Sequence, residues 1–184
     1  MASQTIDKLE AACRLLNTAI ALWFNDGDAV SIHTLACSAH QIVHDINYLK
    51  GGRDLIYDSL IIKDEYRREA ICYLKQKYNF FKHADKDPDG TIEFDPKGSE
   101  EFILFTSFGL ELLGRSPDEV RGAFNIYYAL HNHHLLTEKG QSFFIDSIPE
   151  ENRKYALSMP KQQFFEVYTL LRKRHLLGSL EDDS

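Results

Sequence analysis

The sequence predicts an all-α protein, an up-and-down antiparallel helical bundle with additional C-terminal helices. Three observations carry that prediction. Apolar residues recur at steps of three and four along most of the chain, which is the period of one helix face. Turn-forming clusters, Asn25-Asp26-Gly27 and Gly51-Gly52 among them, cut the stripes into helix-sized pieces. Strand character is confined to residues 91–94, too short a run to found a sheet.

The first helix is built on Ile6, Leu9, Cys13, Leu16, Ile20 and Trp23 and ends at Asn25-Asp26-Gly27. The second is built on Ile32, Leu35, Ala39, Ile42, Ile46 and Leu49 and stops at Gly51-Gly52. Helices joined by so short a spacer fold back on each other, so these two are antiparallel neighbours. A third runs through Ala70, Ile71, Leu74, Tyr78 and Phe81. A fourth starts at Ser99-Glu100-Glu101-Phe102, with Ser99 as its cap, and ends near Gly114. In the fifth, Ser116 takes the cap and Pro117 the first helical position, and the helix reaches about His134. A last helix follows Pro160, on Phe164, Phe165, Tyr168 and Leu171. A chain of 184 residues is long enough for a real core. It reads as one helical domain: a core bundle over 1–114, a helical extension over 115–178 and a disordered acidic tail over 179–184.

Composition narrows the function classes. No apolar run reaches the length of a membrane span, and the start MASQTIDKLEAACRLL lacks a signal-peptide pattern. Cys13, Cys37 and Cys72 are scattered and odd in number, which argues against a disulfide frame or zinc ribbon and for the cytoplasm. A net charge of −7 disfavours broad nucleic-acid binding, leaving room only for a local basic cleft. The short clusters Arg67-Arg68 and Arg172-Lys173-Arg174 do not change that balance.

Three groups of residues carry chemistry. Asp85, Asp87, Asp89 and Gly90 follow the opening of a calcium loop, but Pro96 stands where the bidentate glutamate belongs. A reverse turn over Asp87-Pro88-Asp89-Gly90 explains the same residues, with Gly90 free to take a positive φ. His33, His40 and His44 lie within roughly 40° of one another on the second helix, about 150° from its apolar stripe. That places them on an exposed or interface face, where His40 and His44, one turn apart, could share a metal with Asp45 beside them. Histidines also cluster at His131-Asn132-His133-His134, where a helix C-terminus favours them. On the third helix Cys72, Gln76, Asn79 and His83 share a polar face. Asn79 and His83, one turn apart, can act on one bound group, with His83 as acid or base or as a phosphate ligand.

The run Tyr78-Asn79-Phe80-Phe81-Lys82-His83-Ala84-Asp85 resembles the motif helix of the HEPN superfamily, marked by R-x(4–6)-H with a polar residue often directly after the arginine. The preceding helix pair, including SIHTLACSAHQIVHDI, resembles uncharacterised bacterial HEPN-like proteins, and the likeness covers roughly residues 5 to 113. Many HEPN proteins are dimeric, metal-independent RNases of toxin–antitoxin and defence systems; others have lost catalysis and serve as binding or scaffold modules. The resemblance implies a homodimer with RNA or a protein as partner, no cofactor, and His83, Asn79 and Lys77 as site residues. His83 matches the motif histidine and Asn79 the polar position, but Tyr78 stands in place of the arginine. Lys77 supplies a cation six residues before His83, about 120° around the helix, and Lys82 is a second candidate to hold phosphate. The expectation is a binding module or a degenerate RNase. Two other readings stand beside it. One is a metal-binding protein using His33, His40 and His44, or a hydrolase resembling the HD superfamily through His44-Asp45. The other is a purely structural dimer.

Overall fold

Helix α1, Lys8–Phe24, starts where Asp7 accepts a hydrogen bond from the Glu10 amide at 2.7 Å. α2, Ala29–Leu49, starts the same way, with Asp28 accepting from the Ser31 amide at 2.7 Å. In each case a carboxylate satisfies an amide that the first helical turn leaves without a carbonyl. The computed structural model describes residues 3–52, 55, 56 and 64–181, apart from the side chains of 64–67, 70, 139 and 174–181, so Arg67, Ala70 and Arg174 lie outside the described side chains. Two further helices complete the first of two compact units, Met1–Ser116: α3, Asp64–Lys82, and α4, Gly98–Leu112.

The order of contacts fixes the topology. Trp23 at the end of α1 donates from Nε1 to Glu100 Oε1 at the start of α4, at 3.2 Å. Asp7, before α1, pairs at 3.2 Å with Arg115, just after α4. These helices therefore run in opposite directions. Ser38 in α2 meets Tyr78 near the end of α3, and His33 near the start of α2 meets Ser99 at the start of α4. The unit is an up-down-up-down bundle with α2 packed against α1, α3 and α4.

That central position moves the buried face of α2. Its buried residues are Ile32, His33, Ala36, Cys37, Ala39, His40, Val43 and Asn47, an arc centred between the expected apolar stripe and the histidine face. Leu49, assigned to the stripe, is 84% exposed. On α1 the buried row is Ala12, Leu16, Ala19, Ile20 and Phe24, whereas Ile6 precedes the helix and is exposed.

Three helices close by one device. After α2, Gly51 has φ +80°, its amide donates to the Tyr48 carbonyl, and the Gly52 amide donates to that of Asn47. After α4, Gly114 has φ +83°, with Gly114 donating to Glu111 and Arg115 to Leu110. After α1 the left-handed residue is Asp26, at φ +50°, and Gly27 donates to Leu22. Each is a Schellman closure, which satisfies carbonyls that the last turn would leave open.

The cap expectations for α4 and α5 fail in an instructive way. Ser99 is inside α4, its hydroxyl turned to His33 rather than to a backbone amide. The second unit, Pro117–Ser184, opens with α5, Glu119–His131, capped by Asp118, which accepts from the Arg121 amide at 3.0 Å. Ser116 and Pro117 therefore precede the helix. A 3-10 turn, His133–Leu135, follows, then α6, Glu138–Phe144, α7, Glu150–Ser158, and α8, Lys161–Glu181. α8 runs through residues 179–181, which the sequence reading assigns to the tail; 182–184 lie outside the described residues. α5 is the hub of this unit, touching α6, α7 and α8. Tyr127 meets Phe164 edge-on at 5.1 Å, and a Cβ on Gly122 would stand 2.6 Å from the Tyr168 hydroxyl. Residues 91–94 are irregular, and no described residue forms a strand. No helix among the described residues is long and apolar enough to cross a membrane.

Two glycines test this packing. A Cβ on Gly109 of α4 would strike Val43 of α2 and come within 3.2 Å of Leu55, so Gly109→Ala should cost about 1–3 kcal/mol in urea denaturation. Gly114→Ala meets no atom within 4 Å and should cost about 1 kcal/mol from its left-handed backbone alone.

A candidate polar pocket at the end of helix α3

The last two turns of α3 and the residue just after it present Gln76, Asn79, Phe80 and His83 on one side, spaced three and four residues apart. Residues 83–97 then fold back along the helix. The turn at Asp87 is closed by the Gly90 amide donating to the Asp87 carbonyl at 2.9 Å. Gly90 is not in the left-handed region. Its small size is what the turn uses, since a Cβ there would sit 2.5 Å from Asp87 Oδ2. Between helix and returning strap lies a pocket of about 390 Å³. Gln76, Asn79, Phe80 and His83 form its helical wall; Lys86, Asp87, Thr91 and Ile92 form the other.

The strap is held by contacts on its far stretch. Lys77 Nζ donates to the Glu93 carbonyl, and the same ammonium lies 5.7 Å from the centre of the Phe94 ring. Phe94 packs edge-on against Phe81 of α3 and His33 of α2, each at 5.2 Å. Lys77 therefore fastens the strap and does not line the pocket. Nor does Lys82, whose Nζ donates to the Tyr78 hydroxyl at 3.0 Å and sits 4.3 Å over that ring. Tyr78 itself is buried and turned to Ser38, 3.2 Å away, so the residue in the arginine position of the motif faces α2. Asn79 and His83 are brought together as expected from their spacing, and the cation beside them is Lys86. Sequence periodicity had no means of finding Lys86, because it lies beyond the helix and returns only through the turn.

The calcium-loop residues do not converge. Asp85 lies 3.8 Å from His83 Nδ1, Asp87 lines the pocket, and all three aspartates are exposed. α4 begins only at Gly98.

Of the histidines expected on an exposed or interface face of α2, His33 and His40 sit in the core of the unit and His44 is half-buried. His33 is 4% exposed and His40 is fully buried. His33 Nδ1 lies 3.0 Å from Ser99 Oγ, and Cys37 Sγ lies 3.4 Å from Nε2. Burial pushes the Cys37 thiol well above its usual range, so it keeps its proton beside the ring. Both ring nitrogens are thus engaged in either tautomer, by Ser99 and Cys37, which leaves neither open to a metal. His40 packs edge-on against Phe102 at 5.3 Å and stacks 6.1 Å from His44, which turns Nδ1 to Asp45 at 3.3 Å. In the second unit His131 stacks on Tyr127 at 4.1 Å, and His133 Nδ1 lies 3.4 Å from the Leu130 carbonyl. Among the described residues no three His, Cys, Asp or Glu side chains form a set that could hold a metal ion.

Fold and site together define an all-α protein with an open, mixed-charge pocket at the C-terminal end of its third helix. A scan against protein-family models, a search of curated proteins and a search of solved structures each found no match.

The buried histidines set a pH dependence. Desolvation lowers His33 from 6.5 to about 4, with the Lys77 charge adding to the effect, and lowers His40 to about 3, with His44 and Lys75 adding. Between pH 6.5 and about 4 the unfolded chain binds protons that the folded chain refuses, so stability falls as pH falls. Thermal melting should drop by roughly 10–20 °C from pH 7 to pH 4.5, on the order of 5 kcal/mol for the two groups together. His40→Leu should flatten that slope; a melting temperature constant over the window would contradict the assignment.

Proposed function

We propose that this chain is a HEPN-like binding module that takes single-stranded RNA at the pocket between α3 and the strap. The observation that carries the reading is the joining of Asn79 and His83 with a cation, Lys86, and an aromatic ring, Phe80, in one pocket. Amides and imidazole recognise base edges, an aromatic face stacks a base, and a lysine holds phosphate as a point charge. Binding rather than cleavage is proposed because Tyr78, in the arginine position, is engaged with Ser38 and Lys82 and supplies no charge. A homodimer belongs to the same proposal through the family resemblance, and native mass spectrometry reads it as a doubled mass. A reducing compartment fits the thiols Cys13, Cys37 and Cys72, none of which is in a disulfide, and we propose the cytoplasm.

With few cations at the site and a net charge of −7, affinity should depend only weakly on salt. The slope of log K against log salt for an oligoribonucleotide should be about −0.7 to −1.4, one or two phosphates neutralised. In fluorescence anisotropy the double variant His83→Ala, Lys86→Ala should weaken binding about tenfold or more. Lys154→Ala, in the second unit, should leave it unchanged. Full affinity in the double variant would remove the pocket from the function.

A further inference from the structure

The pocket does not resemble a general phosphate cradle. It contains a single lysine, Lys86, against a carboxylate, Asp87, and it opens at the C-terminal end of α3. The carbonyls there carry negative partial charge, which favours hydrogen-bond donors over anions. Asp87 adds a full acceptor with no proton to give. A ligand suited to these groups carries hydroxyl or amino donors on most of its surface and no more than one negative charge near Lys86. It also needs a flat face for Phe80. At about 390 Å³ the pocket lies toward the small end of the roughly 300–1,000 Å³ typical of ligand sites, room for one monomer unit rather than a length of duplex.

From this we infer that the pocket holds one unpaired ribonucleotide. Its base lies on Phe80 with its edge against the amides of Gln76 and Asn79, and its phosphodiester sits beside Lys86 and His83. Its 2′-hydroxyl donates to the Asp87 carboxylate. The inference rests on the RNA-binding reading above and adds a selectivity to it: Asp87 makes the site prefer RNA to DNA. A deoxyribonucleotide would bury the carboxylate without the donor that compensates it, whereas the stacking and phosphate contacts would be unchanged.

The test compares fluorescein-labelled oligoadenylate and oligodeoxyadenylate of equal length, by anisotropy, on the full chain and on Asp87→Ala. The expected result is an RNA preference of about tenfold or more in the parent chain. In Asp87→Ala that ratio should collapse toward one, with DNA affinity unchanged or improved as a carboxylate is removed from near the phosphate. Equal affinities in the parent chain, still sensitive to His83→Ala with Lys86→Ala, would overturn the ribose selectivity and leave RNA binding standing. A preference that survives Asp87→Ala would overturn the role of Asp87. If neither strand binds the parent chain, both readings fall.

Discussion

The buried imidazole of His33 is the constraint on which the first unit depends. A neutral histidine inside a helical bundle must have both ring nitrogens satisfied, or the folded state bears the cost of a desolvated polar group. Cys37, one turn along the same helix, meets one nitrogen, and Ser99, from the first turn of α4, meets the other. Phe81, Phe94 and Phe102 surround the ring edge-on, from α3, the strap and α4. One side chain thus ties α2 to both of its later neighbours and to the segment between them. Ser99 is not a cap because α4 already starts at Gly98, and its hydroxyl is turned to His33.

The pocket follows from this junction rather than from residues of its own. Phe94 cannot leave the His33 cluster without opening a void, and Lys77 pins the adjoining carbonyl. The strap is fixed at its far end, the helix fixes the near end, and the residues between are held a ligand's width from α3. Lys86 and Asp87 reach the pocket because of that path. The pocket wall is mostly exposed and polar while the contacts that hold it are largely apolar, so substitutions in the second layer should act on stability.

Much of the helical layout is legible from the sequence. Stripes at steps of three and four mark α1 to α3 and α8, start and stop signals mark α4 and α5, and the breaks at Asn25-Asp26-Gly27, Gly51-Gly52 and Gly114 fall where helices close. The short helices α6 and α7 escape this reading because few turns leave little period to see. Periodicity also misjudged α2. A rule that assigns one apolar face per helix works for a helix with one neighbour, and α2 has three, so His33 and His40, expected on an exposed or interface face, are buried within the unit. The pairing of Asn79 with His83 was legible because both belong to one helix. Lys77 was the natural cation by sequence distance, but the strap's carbonyl draws it away.

What the sequence by itself determined is local: which long segments are helical, where turn residues stop them, and which polar residues share a turn. These depend on spacings of a few residues, which the backbone geometry of one helix translates directly into direction. What only the tertiary structure decided is non-local: the burial of His33 and His40, the commitment of Ser99, and the return of Lys86 and Asp87 to face Gln76 and Asn79. Those facts depend on which surfaces meet after the chain has folded back. Burial is a property of the assembled neighbours, and no periodicity within a single helix contains it.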